Sequence, residues 1–123
     1  MKRYMNFAAV GVLVLIFGGA GLAKIFVGAS FADQFAHFGL PAWWIYLTGA
    51  VELTGAALIA IPKHVTRRFG AALLAATMAV ATMLHLLNDP AAMALPAFSL
   101  MLLAGFVAWK PQAAAAPQAL AQV

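Results

Sequence analysis

The sequence contains no cysteine and only three acidic residues, of which Glu52 is the single glutamate. The absence of cysteine excludes disulfide bonds, thiol redox chemistry and cysteine metal sites from this chain. Charged residues make up 8% of its 123 residues, whereas a soluble domain carries ~25%, so the chain could not cover a water-facing surface. The seven basic residues lie near the ends of apolar runs. That placement indicates a membrane protein and no nucleic-acid partner.

Apolar residues are what the chain has in abundance: they account for 66% of it, and the mean hydropathy is +0.99. Four apolar runs each approach the ~20 residues needed to cross a bilayer. We place them at about 5–27, 41–61, 69–87 and 93–109. The sequence therefore predicts an all-α integral membrane four-helix bundle in one domain, 1–110, with the bilayer as its surroundings. The low-complexity tail 111–123 is predicted to be disordered.

The positions of lysine and arginine predict the orientation of these spans. With four spans, one side of the membrane receives six basic residues, namely Lys2, Arg3, Lys63, Arg67, Arg68 and Lys110. The positive-inside rule then predicts that both termini are cytoplasmic. The location that we expect is the inner (plasma) membrane of a bacterium. The alternative is that the first run is a signal peptide, which would leave three spans and put the termini on opposite sides.

A short amphipathic segment, Ser30–Phe38, separates the first two spans. Its phenylalanines recur every three to four residues, along one face of a helix, and its polar residues fall on the other face. Ser30 with Asp33 resembles a capping box, and Gly39 provides a stop. We predict a short helix lying on the outer membrane surface, roughly parallel to it. The alternative is an ordinary loop.

Three ionisable residues lie within the predicted spans: Lys24, Glu52 and His85. Glu52 falls near the middle of its span, where a carboxylate costs ~3 kcal/mol on insertion scales. The residues one turn away from each of the three are mostly glycine, alanine or threonine. Small faces are where membrane helices approach closely, so we expect all three side chains to point into the bundle.

These three side chains form our predicted proton-transfer or binding set. Lysine is long enough for a Lys24–Glu52 ion pair, and His85 would complete a polar cavity open to the outer side. The alternatives are that Lys24 snorkels to the interface, that His85 bonds a backbone carbonyl, and that a protonated Glu52 only joins helices. His37 is predicted to be a surface residue and Asp89 a turn residue. We predict no metal site.

The chain resembles the DoxX-like family of small four-helix membrane proteins from Phe7 to Trp109. The resemblance rests on GGAGLAKIF, on FGLPAWWIYLTGAVELTGAALI and on HLLNDP. The recurring positions are Lys24, Gly39, Leu40, Pro41, Glu52 and His85.

The resemblance implies a subunit of a quinone-linked membrane oxidoreductase complex, because the family is associated with such complexes. It implies quinone, or a similar lipid-like molecule, as the ligand and no covalently bound cofactor. It also implies partner membrane subunits or a homo-oligomer, and leaves open whether the chain is itself an enzyme. Two other functions stay open: a non-catalytic membrane assembly or interaction protein, and a small solute or proton carrier.

Overall fold

The computed structural model describes residues 2–109, with side chains from Met5 onward. Five α-helices and two 3₁₀ turns follow one another, and residues 2–109 contain no β-strand. The helices are α1 (Lys2–Phe26), α2 (Ala32–His37), α3 (Trp43–Ala60), α4 (His64–Asn88) and α5 (Leu95–Trp109), with 3₁₀ turns at Gly28–Phe31 and Ala91–Ala94. The predicted disordered tail lies outside the described residues.

The four long helices form a ring in chain order. α1 packs on α3, α3 on α4 and α4 on α5, and α5 closes the ring against α1. The C-terminal part of α1 meets the N-terminal part of α3, and the C-terminal part of α3 meets the start of α4, so neighbours are antiparallel. The largest fully buried side chains are Leu13, Phe17, Ile45, Ile59 and Leu74.

The outer surface of the bundle is apolar. Leu15, Phe26 and Val65 are among its most exposed side chains, which is the reverse of a soluble protein. The four candidate spans, Met5–Phe26, Trp43–Ala60, His64–Asn88 and Ala91–Trp109, are long and apolar enough to cross a membrane. The predicted all-α membrane helical bundle is therefore confirmed, and the chain is an integral membrane protein in contact with lipid.

The link between α3 and α4 is shorter than the sequence suggested. Ile61 adopts an extended conformation because it precedes Pro62, and this ends α3. α4 then begins at His64, whereas we expected a loop up to Arg68. Arg67 therefore lies on the first turn of α4, where its Nε donates to the carbonyl of Ile59 at 2.8 Å. That bond caps the carbonyl end of α3.

α2 lies at the end of the bundle where α1 and α4 finish and α3 begins; we name it the α2 end. Its last residue is His37, and Gly39, just after the C-cap Phe38, has a φ of +78°. The N–H of Gly39 donates to the carbonyl of Ala36, and the N–H of Leu40 donates to that of Phe35, both at 2.9 Å. This pair of bonds is a Schellman motif, so the predicted helix and its glycine stop are confirmed.

The predicted capping box of α2 is wrong. A 3₁₀ turn precedes α2, so Ser30 lies inside a helical turn and not at the N-cap. Its hydroxyl donates back to the carbonyl of Val27 at 2.7 Å. A serine that has a local carbonyl within reach bonds it readily, which leaves Asp33 without the predicted partner.

Candidate functional site

Close contact between α1 and α3 positions the first part of the site. A Cβ atom at Gly21 would lie 2.9 Å from the carbonyl oxygen of Gly49 and 2.8 Å from the Cγ of Leu53. A Cβ atom at Gly49 would lie 2.9 Å from the Cβ of Lys24. Only glycine allows this approach, which lays the stem of Lys24 against the backbone of α3.

Lys24 and Glu52 form an ion pair within the bundle. The Nζ of Lys24 lies 2.9 Å from Oε1 of Glu52, and the two side chains are 12% and 3% exposed. The ammonium also lies 5.0 Å from the centre of the Phe31 ring, within the range of a cation–π contact. Lys24 therefore points inward, and the snorkelling alternative does not describe this structure.

The opposite face of α3 is held just as closely by α4. A Cβ atom at Gly55 would lie 2.5 Å from Cδ2 of Leu74. A Cβ atom at Gly70 would lie 2.8 Å from the carbonyl oxygen of Gly55. Because both neighbours approach the α3 backbone, Glu52 lies between them and is 2% exposed.

Asp89 bridges two histidines at the α2 end. Asp89 is extended because it precedes Pro90, which ends α4 and turns its carboxylate back towards the helix. Oδ2 lies 2.8 Å from Nδ1 of His85, and Oδ1 lies 2.7 Å from Nε2 of His37 on α2. His85 therefore bonds a carboxylate, not the backbone carbonyl of the alternative reading.

The His37–Asp89–His85 cluster was not among the sites predicted from the sequence. The spacing of His85 and Asp89, four residues apart at the end of a helix, was a usable signal. The contact of His37 with Asp89 joins residues 52 positions apart, and no local pattern indicates it. His37 is half exposed, as predicted for a surface residue, but it is also the polar link from α2 to α4.

The carboxyl group of Asp89 lies outside the spans, and its hydrogen bonds determine its charge. The hydrogen bond with His85, and next the one with His37, hold the pKa of Asp89 below its ordinary value. The carboxylate is therefore ionised over the physiological range. Phe38 contacts the His85 ring edge-on, with centroids 5.1 Å apart, which further fixes the orientation of the imidazole.

A cavity of about 280 Å³ unites the three predicted site residues. Lys24, Glu52 and His85 all contribute to its wall, although His85 is bonded to Asp89 and not to Glu52. Most of the remaining wall is apolar. The exposed side chains Leu47 of α3 and Val80 of α4 both line it, so the cavity opens between these helices on the lipid-facing surface.

α2 covers this cavity with residues from both of its faces. Phe35 is buried there, and Phe38 also lines the cavity. Both belong to the apolar face of α2, which packs against the bundle. Gln34 lines the cavity too. The predicted polar face of α2 therefore contributes one side chain to the site.

The chemistry of the site favours a lipophilic ligand with a polar head. In the described part of the chain, no group of three or more His, Asp or Glu side chains is placed to hold a metal ion. The cavity instead offers apolar walls, one ion pair and one imidazole. Such a site can bind a ring or a chain by its apolar surface and orient its polar atoms by hydrogen bonds.

Comparison with known proteins identifies the family of this chain. No curated protein and no solved structure matches the chain. A family model does match residues 8–106, which is most of its length. The chain belongs to the DoxX-like family.

Proposed function

We propose that this chain is a quinone-binding subunit of a membrane oxidoreductase complex. One observation carries the proposal: a mostly apolar cavity opens towards lipid and has polar side chains at its wall. A quinone has the matching chemistry, since it is a lipophilic molecule with polar oxygens on a ring. Resemblance to a family associated with quinone-linked complexes supports the choice of ligand.

The dimensions of the cavity suit the ring and not the whole molecule. Its volume of about 280 Å³ lies just below the ~300–1,000 Å³ that is usual for sites that enclose small molecules. A long tail would have to leave through the opening between Leu47 and Val80. That opening faces the surface where lipid chains lie, so the tail would stay in an apolar environment.

The side chains at the wall have distinct roles in this proposal. The ammonium of Lys24 has three N–H donors and uses one for Glu52, so the others are free to hold a ring oxygen. Glu52 keeps a second oxygen as an acceptor, and His85 provides an imidazole at the α2 end. A quinone, when bound, supplies two-electron chemistry coupled to proton exchange.

The electrons would come from partner subunits. The chain has no cysteine and so cannot hold an iron–sulfur cluster through thiolates. Under this proposal it binds the lipophilic ligand, orients it and exchanges protons with it. Whether it forms a homo-oligomer or binds different membrane subunits belongs to the same proposal.

Mass spectrometry of lipids extracted from the purified protein tests the proposal. Ala81 lines the cavity, so Ala81→Phe should fill it, whereas Ala79→Phe adds the same ring on the exposed side of α4. We expect quinone in the wild type and in Ala79→Phe, and a loss of at least tenfold in Ala81→Phe. Equal quinone content in the three proteins, or none in the wild type, contradicts the proposal.

A second candidate function is a non-catalytic assembly or interaction protein. It is favoured by the pairing of the buried polar atoms: within the described chain, every buried side-chain nitrogen or oxygen has a hydrogen-bond partner. Lys24–Glu52 and His37–Asp89–His85 would then serve only to join helices. Wild-type protein that carries no quinone but retains a stoichiometric membrane partner would select this function.

A further inference from the structure

The protons on the His37–Asp89–His85 cluster follow from the charge of Asp89. An ionised carboxylate can only accept hydrogen bonds. The two ring nitrogens that contact it, Nδ1 of His85 and Nε2 of His37, must therefore both carry hydrogen. The carboxylate oxygens are distinct, so each histidine has its own acceptor and both contacts form together.

This arrangement decides what His85 offers to the cavity. A neutral imidazole has one N–H donor and one acceptor nitrogen. With Nδ1 donating to Asp89, Nε2 is the acceptor, and no hydrogen bond to it is formed within residues 5–109. His85 lines the cavity, and the Phe38 ring, nearly perpendicular to the imidazole, restrains its rotation. Nε2 is thus the nitrogen available to a ligand.

An acceptor nitrogen distinguishes the two redox forms of a quinone. The reduced form carries hydroxyl groups, and one of them can donate to Nε2. The oxidised form presents only carbonyl oxygens, whose lone pairs would face the lone pair of Nε2. The Lys24–Glu52 ion pair has no net charge and offers both N–H donors and an acceptor oxygen, so it can bond either form, whereas Nε2 of His85 can bond only the reduced form.

We propose that Asp89 is a positioning residue, and that by fixing the proton of His85 on Nδ1 it makes the cavity select the reduced, hydroxyl-bearing quinone. This inference rests on the proposed function. It extends that function by naming the redox form that binds and the residue that causes the preference. Tighter binding of the reduced form favours reduction of the bound quinone, which takes up two electrons from the partner subunits and two protons to form the two hydroxyl groups.

Nitrogen NMR of ¹⁵N-histidine-labelled protein in nanodiscs tests the inference. The chain has three histidines, so the spectrum is simple, and His64 at the exposed start of α4 is an internal control. At pH 8, well above the ordinary histidine pKa of ~6.5, the shifts report the tautomer of His85. Titration with a decyl-substituted benzoquinone, oxidised or reduced under anaerobic conditions, gives the two affinities from the His85 signal.

We expect the Nδ1–H tautomer and an affinity about tenfold higher for the reduced form, roughly the effect of one hydrogen bond. That preference would raise the potential of the bound couple by about 30 mV. Asp89→Asn should mix the tautomers and bring the preference below threefold. Asp33→Asn removes the same charge from the exposed side of α2 and should change neither value.

The possible failures are distinguishable. An Nε2–H tautomer, or equal or tighter binding of the oxidised form, overturns the inference and leaves the proposed function in place. An unchanged preference in Asp89→Asn overturns the role of Asp89. A His85 signal that responds to neither form contradicts the proposed function itself.

Discussion

At the scale of single residues, the central feature is an ion pair held between two helices. Charged groups within a membrane are costly unless they are paired, and Lys24 and Glu52 come from α1 and α3 to meet that requirement. The pair therefore joins the helices as well as lining the cavity. Removing one partner should cost more than removing both, because it leaves an uncompensated group in the interior.

We predict that Glu52→Gln lowers the free energy of unfolding by about 3 kcal/mol, because it strands the ammonium of Lys24. The double variant Lys24→Met with Glu52→Gln should recover part of this loss. Denaturant titration of the purified protein in detergent measures both. Thr54→Val, on the exposed face of α3, is the control and should stay within about 0.5 kcal/mol of the wild type. A Glu52→Gln protein as stable as that control would show that the ion pair contributes nothing.

The lowered pKa of Asp89 makes the stability of the folded protein depend on pH. Hydrogen bonds, chiefly from His85, lower the pKa of this carboxyl in the folded protein. A group with a lowered folded pKa contributes stability above its unfolded pKa of ~3.9, and the contribution disappears as the pH falls through the folded value.

We therefore expect the wild type to lose stability relative to Asp89→Asn as the pH falls below about 4. Thermal melts of both proteins between pH 7 and pH 3 measure the difference. Asp33→Asn should follow the wild type, which separates Asp89 from the general effect of acid. Parallel curves for the wild type and Asp89→Asn would contradict the expectation.

At the scale of helices, glycine contacts bring α3 against both of its neighbours. Gly21 with Gly49 and Gly55 with Gly70 allow backbones to approach where a methyl group would meet a carbonyl oxygen. Lys24 can reach Glu52 only because the first of these contacts is close. The geometry of the site therefore depends directly on the close packing of α1 and α3.

We predict that Gly21→Ala destabilises the protein by about 1–3 kcal/mol, as overpacking does, and separates Lys24 from Glu52. Gly18→Ala is the matched control on the same helix, because a Cβ atom there has nothing within 4 Å. Helix propensity should make this control neutral or up to ~1 kcal/mol more stable. Denaturant titration compares the two, and an equal effect of both substitutions would contradict the importance of the close contact.

At the scale of the whole molecule, the bundle has two different ends. Lys63 and Arg67 lie at the α3–α4 link, and the ring of antiparallel helices puts the start of α1 at that same end. The α2 end carries the cavity and the acidic residues Asp33 and Asp89. By the positive-inside rule, the cavity would belong to the outer half of the membrane.

We predict that both termini are cytoplasmic. Because the chain has no cysteine, Lys2→Cys and Leu120→Cys each introduce a unique thiol. A membrane-impermeant maleimide should label neither in intact cells and both after permeabilisation. A cysteine in place of Ala36, which is exposed on α2, is the positive control. Labelling of either terminus in intact cells would contradict the orientation and reverse the side to which the cavity belongs.

Some contacts of the observed site could be predicted from the sequence and others could not. The pairing of Lys24 with Glu52 was predictable, because each is surrounded by small residues on its own helix and lysine is long enough to reach the deeper glutamate. The His37–Asp89–His85 cluster was only half predictable. His85 and Asp89 share a helix end, but the approach of His37 depends on where α2 lies over the bundle. The prediction that Ser30 caps α2 was wrong for a similar reason. The 3₁₀ turn before α2 places Ser30 inside a helical turn and not at the N-cap.

The membrane setting, the number of spans and the inward direction of the ionisable residues could all be predicted from the sequence. These follow from composition, from the length of apolar runs and from the neighbours one turn away, all of which are local properties. Three features became visible only in the folded bundle: the order of the helices in the ring, the cavity between α3 and α4, and the carboxylate shared by two histidines. Those features depend on how closely backbones approach and on contacts between distant segments, which no periodicity along the chain encodes.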